Sequence, residues 1–241
     1  MLPRIDTPTY EITLPSTGIK TRFRPFLVKE EKILLMAQQG EDIKEKIHAI
    51  KQIIRNCLIE DIDIDKLATF DIEYLFVNLR SKSVGNIINL TYKRTECPDK
   101  DDGAGDCDIP FTMDLENVAV QETDENHSTT IELTDRINLV MKYPDFHILN
   151  SILQSENYDD IVEVIAECIE YITEDDEVLN ATDYTTQELV DFIENLTQNQ
   201  FASINDFFET MPETSCAVNI RCRKCDFKKE MKVSGVADFF S

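Results

Sequence analysis

Basic residues are scarce in this chain. Its 241 residues hold 24 Lys and Arg against 47 Asp and Glu, giving a formal charge of −23 and a pI near 4.4. Extended nucleic-acid binding draws its affinity from Lys and Arg displacing counterions around phosphates, so this balance argues against it; an anionic membrane surface would repel the chain for the same reason. Glycine is rare too. There are six, with no GxGxxG and no Walker loop among them, which removes the common nucleotide-phosphate cradles. The three histidines, His48, His127 and His147, have no serine elbow or HExxH spacing beside them, so no enzyme signature emerges. No apolar run approaches the roughly 18 residues a membrane span needs, and the opening Met1–Asp6 carries no secretory stretch. The expectation is a soluble protein made in a cytoplasm.

What the chain does have is enough apolar material for a core, 42% of residues with 8% aromatic, and a length that fits one domain or two small ones. Its charge is uneven. Residues 1–56 hold 10 basic and 7 acidic side chains, residues 216–241 hold 6 and 3, and the span between them holds 8 and 37. The simplest reading of that centre is a solvated acidic face; the mildly basic ends either fold against it or present themselves to an acidic partner.

The periodicities predict an α+β fold. Tyr10–Leu14 and Ile19–Arg24 flank the turn-forming Pro15-Ser16-Thr17-Gly18, a β-hairpin pattern. Helices are predicted over 29–39, stopping at Gly40, then along the stripe Ile43, Ile47, Ile50, Ile54 and Cys57, then over about 70–81 with Thr69 as N-cap. Ile88, Leu90 and Tyr92, and Ile109, Phe111, Met113 and Leu115, switch to the two-residue period of strands. Residues 131–143 predict another short hairpin. Helical spacing returns at Ile161, Ile165, Cys168, Ile169 and Ile172, and again behind the capping box Thr185-Thr186-Gln187-Glu188, with a last helix ending before Pro212. Cys216, Val218, Ile220 and then Phe227, Met231, Val233 close the chain as strands. We therefore expect one α+β domain over 1–241, with a β-hairpin at 1–28, a helical region at 29–83, β-hairpins at 84–143, an acidic helical region at 144–212 and a terminal hairpin at 213–241, since no βαβ rhythm supports a doubly wound sheet.

Seven cysteines in a chain with no secretory signature point to thiols or metal ligands rather than a disulfide framework. Cys97 and Cys107 bracket one predicted hairpin tip, and Cys222-x-x-Cys225 occupies another. Four thiolates converging from two hairpins would make a zinc-ribbon-like, structural, non-catalytic site. The Cys-x-x-Cys half matches the usual spacing, whereas nine residues separate Cys97 from Cys107. Unligated cysteines, or Cys216 as substitute ligand, are the competing readings. Asp61-Ile62-Asp63-Ile64-Asp65 has the alternating carboxylates of a calcium loop, but Lys66 stands where that loop needs glycine and Ile72 where it needs its bidentate Glu, so an acidic helix start explains it better. Phe239 and Phe240 put two aromatics at the terminus. They plug the core or dock into a partner.

Leu14-Pro15-Ser16-Thr17-Gly18, the run Phe23-Arg24-Pro25-Phe26-Leu27-Val28-Lys29-Glu30-Glu31-Lys32, the segment Phe70-Asp71-Ile72-Glu73-Tyr74-Leu75-Phe76 leading to Arg80-Ser81-Lys82-Ser83, and Cys222–Cys225 with Asp238-Phe239-Phe240 together resemble the baseplate hub protein family of T-even-type contractile-tailed bacteriophages. The resemblance spans nearly the whole chain. It implies a non-enzymatic protein, either a hub subunit or a hub-assembly catalyst, that binds other hub proteins or the tape-measure protein in the host cytoplasm and in the virion tail baseplate. No catalytic residue is carried over. Two other readings of the residues stand beside it: a zinc-ribbon nucleic-acid binder using the Arg221, Arg223, Lys224, Lys228, Lys229 and Lys232 cluster, and an acidic decoy that mimics DNA.

Overall fold

The computed structural model describes residues 5–40, 43–97, 105–121, 127–148, 158–223, 225, 227–235 and 239. They form an α+β fold of short antiparallel sheets and helices. The chain, read above as one domain, divides into two compact units: Met1–Ile62 with Phe70–Gln121 and Glu213–Ser241, and Asp63–Thr69 with Glu122–Pro212.

The first unit opens with β1 (Tyr10–Thr13) and β2 (Lys20–Phe23), paired antiparallel. The turn between them needs Gly18, whose φ of +68° lies in the left-handed region, and its N–H donates to the Leu14 carbonyl at 2.8 Å. Helices α1 (Val28–Gln39), α2 (Ile43–Cys57) and α3 (Thr69–Val84) follow. The predicted stripe of α2 is buried at Ile47, Ile50, Ile54 and Cys57. Helix α3 buries more than one stripe: Ile72, Leu75, Phe76 and Leu79 are fully enclosed, and so is Asp71.

Two hairpins complete this unit. Strands β3 (Ile87–Cys97) and β4 (Gly105–Asp114) pair with Ile88 opposite Met113, Tyr92 opposite Ile109 and Arg94 opposite Cys107. After β5 (Ala119–Val120), the C-terminal strands β10 (Thr214–Arg221) and β11 (Lys228–Ser234) form the other hairpin, in a sheet ordered β11-β10-β5. Alternation along β10 buries Cys216, Val218 and Ile220 and exposes Ala217, Asn219 and Arg221.

The second unit contains the sheet β6 (Thr130–Glu132), β7 (Ile137–Met141), β8 (Ile169–Glu174) and β9 (Glu177–Asn180), with helices α4 (Tyr158–Glu167), α5 (Thr186–Glu194) and α6 (Gln198–Thr210). Leu139, Met141, Val162, Ile165, Ile193, Ile204 and Phe207 share its core. The capping box of α5 forms, with Thr185 N–H donating to Glu188 at 2.8 Å. One expectation is corrected here. The helix predicted through Ile169 and Ile172 ends at Glu167, and both residues lie on β8. The register between β7 and β8 slips by one residue, so that Leu139 faces Ile172 while Met141 faces Ile169. That bulge puts two isoleucines three apart on one strand face, a spacing otherwise diagnostic of a helix. The region 144–212 is accordingly mixed rather than helical.

Candidate metal centre between two hairpins

The inward faces of the β3–β4 and β10–β11 hairpins meet in one small cluster: Cys107 and Ile109 from the first, Ile220 and Cys222 from the second, with Tyr92, Phe111, Cys225, Phe227 and Met231 packed around them. Two-residue alternation places Cys107 beneath Ile109 on β4 and Cys222 two residues beyond Ile220. Both cysteines are buried, and their sulfurs lie 3.5 Å apart. Cys225 is half-buried, and its sulfur accepts from Arg94 Nη1 at 3.4 Å.

Arg94 is positioned from two sides. Its strand register sets it opposite Cys107, and its guanidinium lies 4.2 Å from the centre of the Phe227 ring. Phe227 stacks on Tyr92 at 6.2 Å and 13°, and Lys229 reaches the Tyr92 hydroxyl at 3.3 Å. A cation donating to a sulfur favours negative charge on that sulfur, as in metal–thiolate centres where an outer hydrogen bond orients the ligand.

Of the four predicted ligands the structure therefore brings three into one cluster. Cys97 ends β3 opposite Gly105, two residues from Cys107, and its side chain lies outside the described residues. Cys216 lies six residues before Cys222, about 20 Å away at the rise of a strand, and does not belong to the cluster. A zinc tetrahedron with Zn–S bonds near 2.3 Å has sulfur–sulfur edges of about 3.8 Å, and the Cys107–Cys222 separation is a few tenths short of that. Among the described residues no group of three or more His, Cys, Asp or Glu side chains is placed to hold a metal ion, so Cys107, Cys222 and Cys225 share an apolar cluster without forming a ligand set.

The remaining predicted positions fall elsewhere. Phe239 is fully buried, and its carbonyl accepts from Arg80 Nη1 at 2.7 Å. Phe240 lies outside the described residues. His127 is held between Thr210, at 2.9 Å, and the Tyr143 hydroxyl, at 3.0 Å, and burial lowers its pKa. The Asp61–Asp65 stretch leads into a single helical turn, Ile64–Lys66, which Asp63 caps by accepting from Asp65 N–H at 3.3 Å.

The segments that carry the family resemblance are tied to one another. Ser16 donates through both its N–H and its hydroxyl to the buried Asp71 carboxylate. Phe26 N–H donates to Ser83 at 2.8 Å, and Arg80 holds Phe239. Arg24 donates to Glu30 at 3.1 Å and to the Asn56 carbonyl at 2.8 Å, while Glu30 accepts from Leu27 N–H at 2.9 Å. Sequence reasoning missed these pairings, as it missed Arg94. The partners lie up to 159 residues apart, and only the polarity of Arg94 two places after Tyr92 on an inward strand face marked it.

A family model described as T4 bacteriophage base plate protein matches residues 7–241. The chain belongs to that family. No curated protein and no solved structure matches it. A base plate protein works in contact with other base plate components, and that much family membership carries over. The interlocked segments and the cysteine-bearing hairpins fall within the matched span. Among the described residues no helix is long and apolar enough to cross a membrane.

Proposed function

We propose that this base plate protein acts without catalysis in assembly of the central hub, as a hub subunit or as an assembly factor that binds other hub proteins or the tape-measure protein. One structural zinc, held by Cys97, Cys107, Cys222 and Cys225, pins its two hairpins into a rigid surface. The observation that carries the metal is the close approach of the Cys107 and Cys222 sulfurs in an apolar cluster that also holds Cys225. A closed set of four thiolates leaves no open coordination position, so the zinc would maintain shape rather than supply chemistry. Family membership supports the baseplate setting, and the resemblance of the tied segments supports the hub.

The role is tested by quantitative mass spectrometry of extensively purified particles and of hub intermediates from infected cells. A fixed copy number matching the tail's symmetry identifies a hub subunit. Presence on intermediates but not on particles identifies an assembly factor. Absence from both overturns the proposal.

A further inference from the structure

We infer that the edge of β10 is a docking site for an acidic, extended segment of a partner polypeptide, which adds to the sheet as a strand. This inference rests on the partner-binding role proposed above and names the partner's chemistry.

In an antiparallel ladder each residue points its N–H and C=O to the same side, and the side alternates along the strand. Glu213 is turned toward β5, since its carbonyl accepts from Gln121 N–H at 3.0 Å, and Cys222 is turned toward β11, since its N–H donates to the Phe227 carbonyl at 3.0 Å. Counting in twos, Ala217, Asn219 and Arg221 direct their backbone groups away from β11. On that side β5 reaches only Thr214 and Ser215. Beyond it, among the described residues, no strand pairs with β10.

A groove of about 680 Å³ runs along this edge, between Pro110–Thr112 of β4 and Asn219–Arg223. Its wall on β4 includes Pro110, which has no N–H to offer and interrupts the row of donors there, whereas β10 carries no proline along Ala217–Arg221. Arg221 and Arg223 both line the groove and both are exposed, and Lys228 stands opposite Arg221 in the ladder. Strand addition draws affinity from main-chain hydrogen bonds and specificity from alternate side chains. Glu230 stands opposite Asn219, but Arg221, Arg223 and Lys228 make the far end of the groove cationic, and that end selects carboxylates. Charge at an edge also serves simply to keep other strands away. The two roles differ in outcome, because a purely protective edge rejects an acidic strand as well as any other.

The test uses the full chain with its zinc content measured. The probe is a fluorescein-labelled peptide of about eight residues alternating Glu and Val, titrated by anisotropy at low salt. Controls are the Lys/Val counterpart, a Glu/Val peptide with two central prolines, and oligothymidylate of similar length. The expected result is salt-sensitive binding of the Glu/Val peptide alone, weakened at least about tenfold by Arg221→Glu with Arg223→Glu. Amide exchange at Ala217, Asn219 and Arg221 should slow on binding, while Val218 and Ile220, already turned to β11, stay unchanged. Ala217→Pro gives an independent check, since it removes an edge N–H and leaves the β11 ladder intact. No binding to the Glu/Val peptide overturns the inference, as does equal binding of the proline peptide or tighter binding of oligothymidylate. Loss of hub association or of zinc would fail the proposed function instead, and is read separately.

Discussion

Replacing Glu30 by Gln tests whether the resembling segments act as structural locks. The Glu30 side chain is fully enclosed, and that of Arg24 is 15% exposed. Burial alone would push the Glu30 carboxyl up, but the Arg24 hydrogen bond, the Leu27 N–H and the charges of Arg24 and Lys29 outweigh it and hold the group below the usual carboxylate range. Arg24 also serves the Pro25 and Asn56 carbonyls, so the pair joins the end of the first hairpin, the start of α1 and the end of α2. Removing one partner of a buried pair costs about 3–5 kcal/mol. Gln keeps an acceptor for Leu27, which puts Glu30→Gln near the lower figure, about 3 kcal/mol. For a chain of this length that corresponds to about 6–12 °C in melting temperature. The pH dependence has a definite sign. A depressed folded-state pKa contributes stability above the unfolded value and loses it as pH falls through the folded one, so the deficit of the variant should shrink in acid. Calorimetry of wild type, Glu30→Gln, Arg24→Met and the double variant at neutral pH and in acid measures both effects. A Glu30→Gln melting temperature within about 2 °C of wild type at neutral pH, or a deficit that grows in acid, would refute the reasoning.

Cys222→Ser and Cys222→Ala should both abolish zinc binding and lower the melting temperature by similar amounts; without a metal, Ser would be the worse of the two, because it buries a hydroxyl beside Ile109 and Ile220. Burial raises the Asp71 pKa despite the Ser16 hydrogen bonds. Its ionisation therefore withdraws stability as pH rises from the unfolded pKa through the folded one, and Asp71→Asn, which keeps an acceptor for Ser16, should flatten that part of the stability profile in pH-dependent denaturant melts.

Much of the fold was legible in the sequence wherever a single periodicity met a single buried face. The isoleucine stripe of α2, the alternation of β3, β4 and β10, and the Thr185–Glu188 box all read correctly, because each is set by local geometry. The reading failed at Ile169 and Ile172, where a bulge created by pairing with β7 imitates helical spacing. The second capping box, Thr197 with Gln200, is an equally local signal that the predicted elements do not include. The Cys-x-x-Cys spacing keeps Cys222 and Cys225 close together in the chain. The convergence of Cys107 with Cys222 is a tertiary fact, as are the Ser16–Asp71 and Arg80–Phe239 ties, and no local signal encodes a contact across 115 residues.

The most direct measurement is native mass spectrometry of the full chain purified without added metal, followed by a repeat after chelation. The expected result is one zinc per chain, released together with loss of the folded charge-state distribution. A chain that is folded at its metal-free mass, with the same melting temperature before and after chelation, would contradict it.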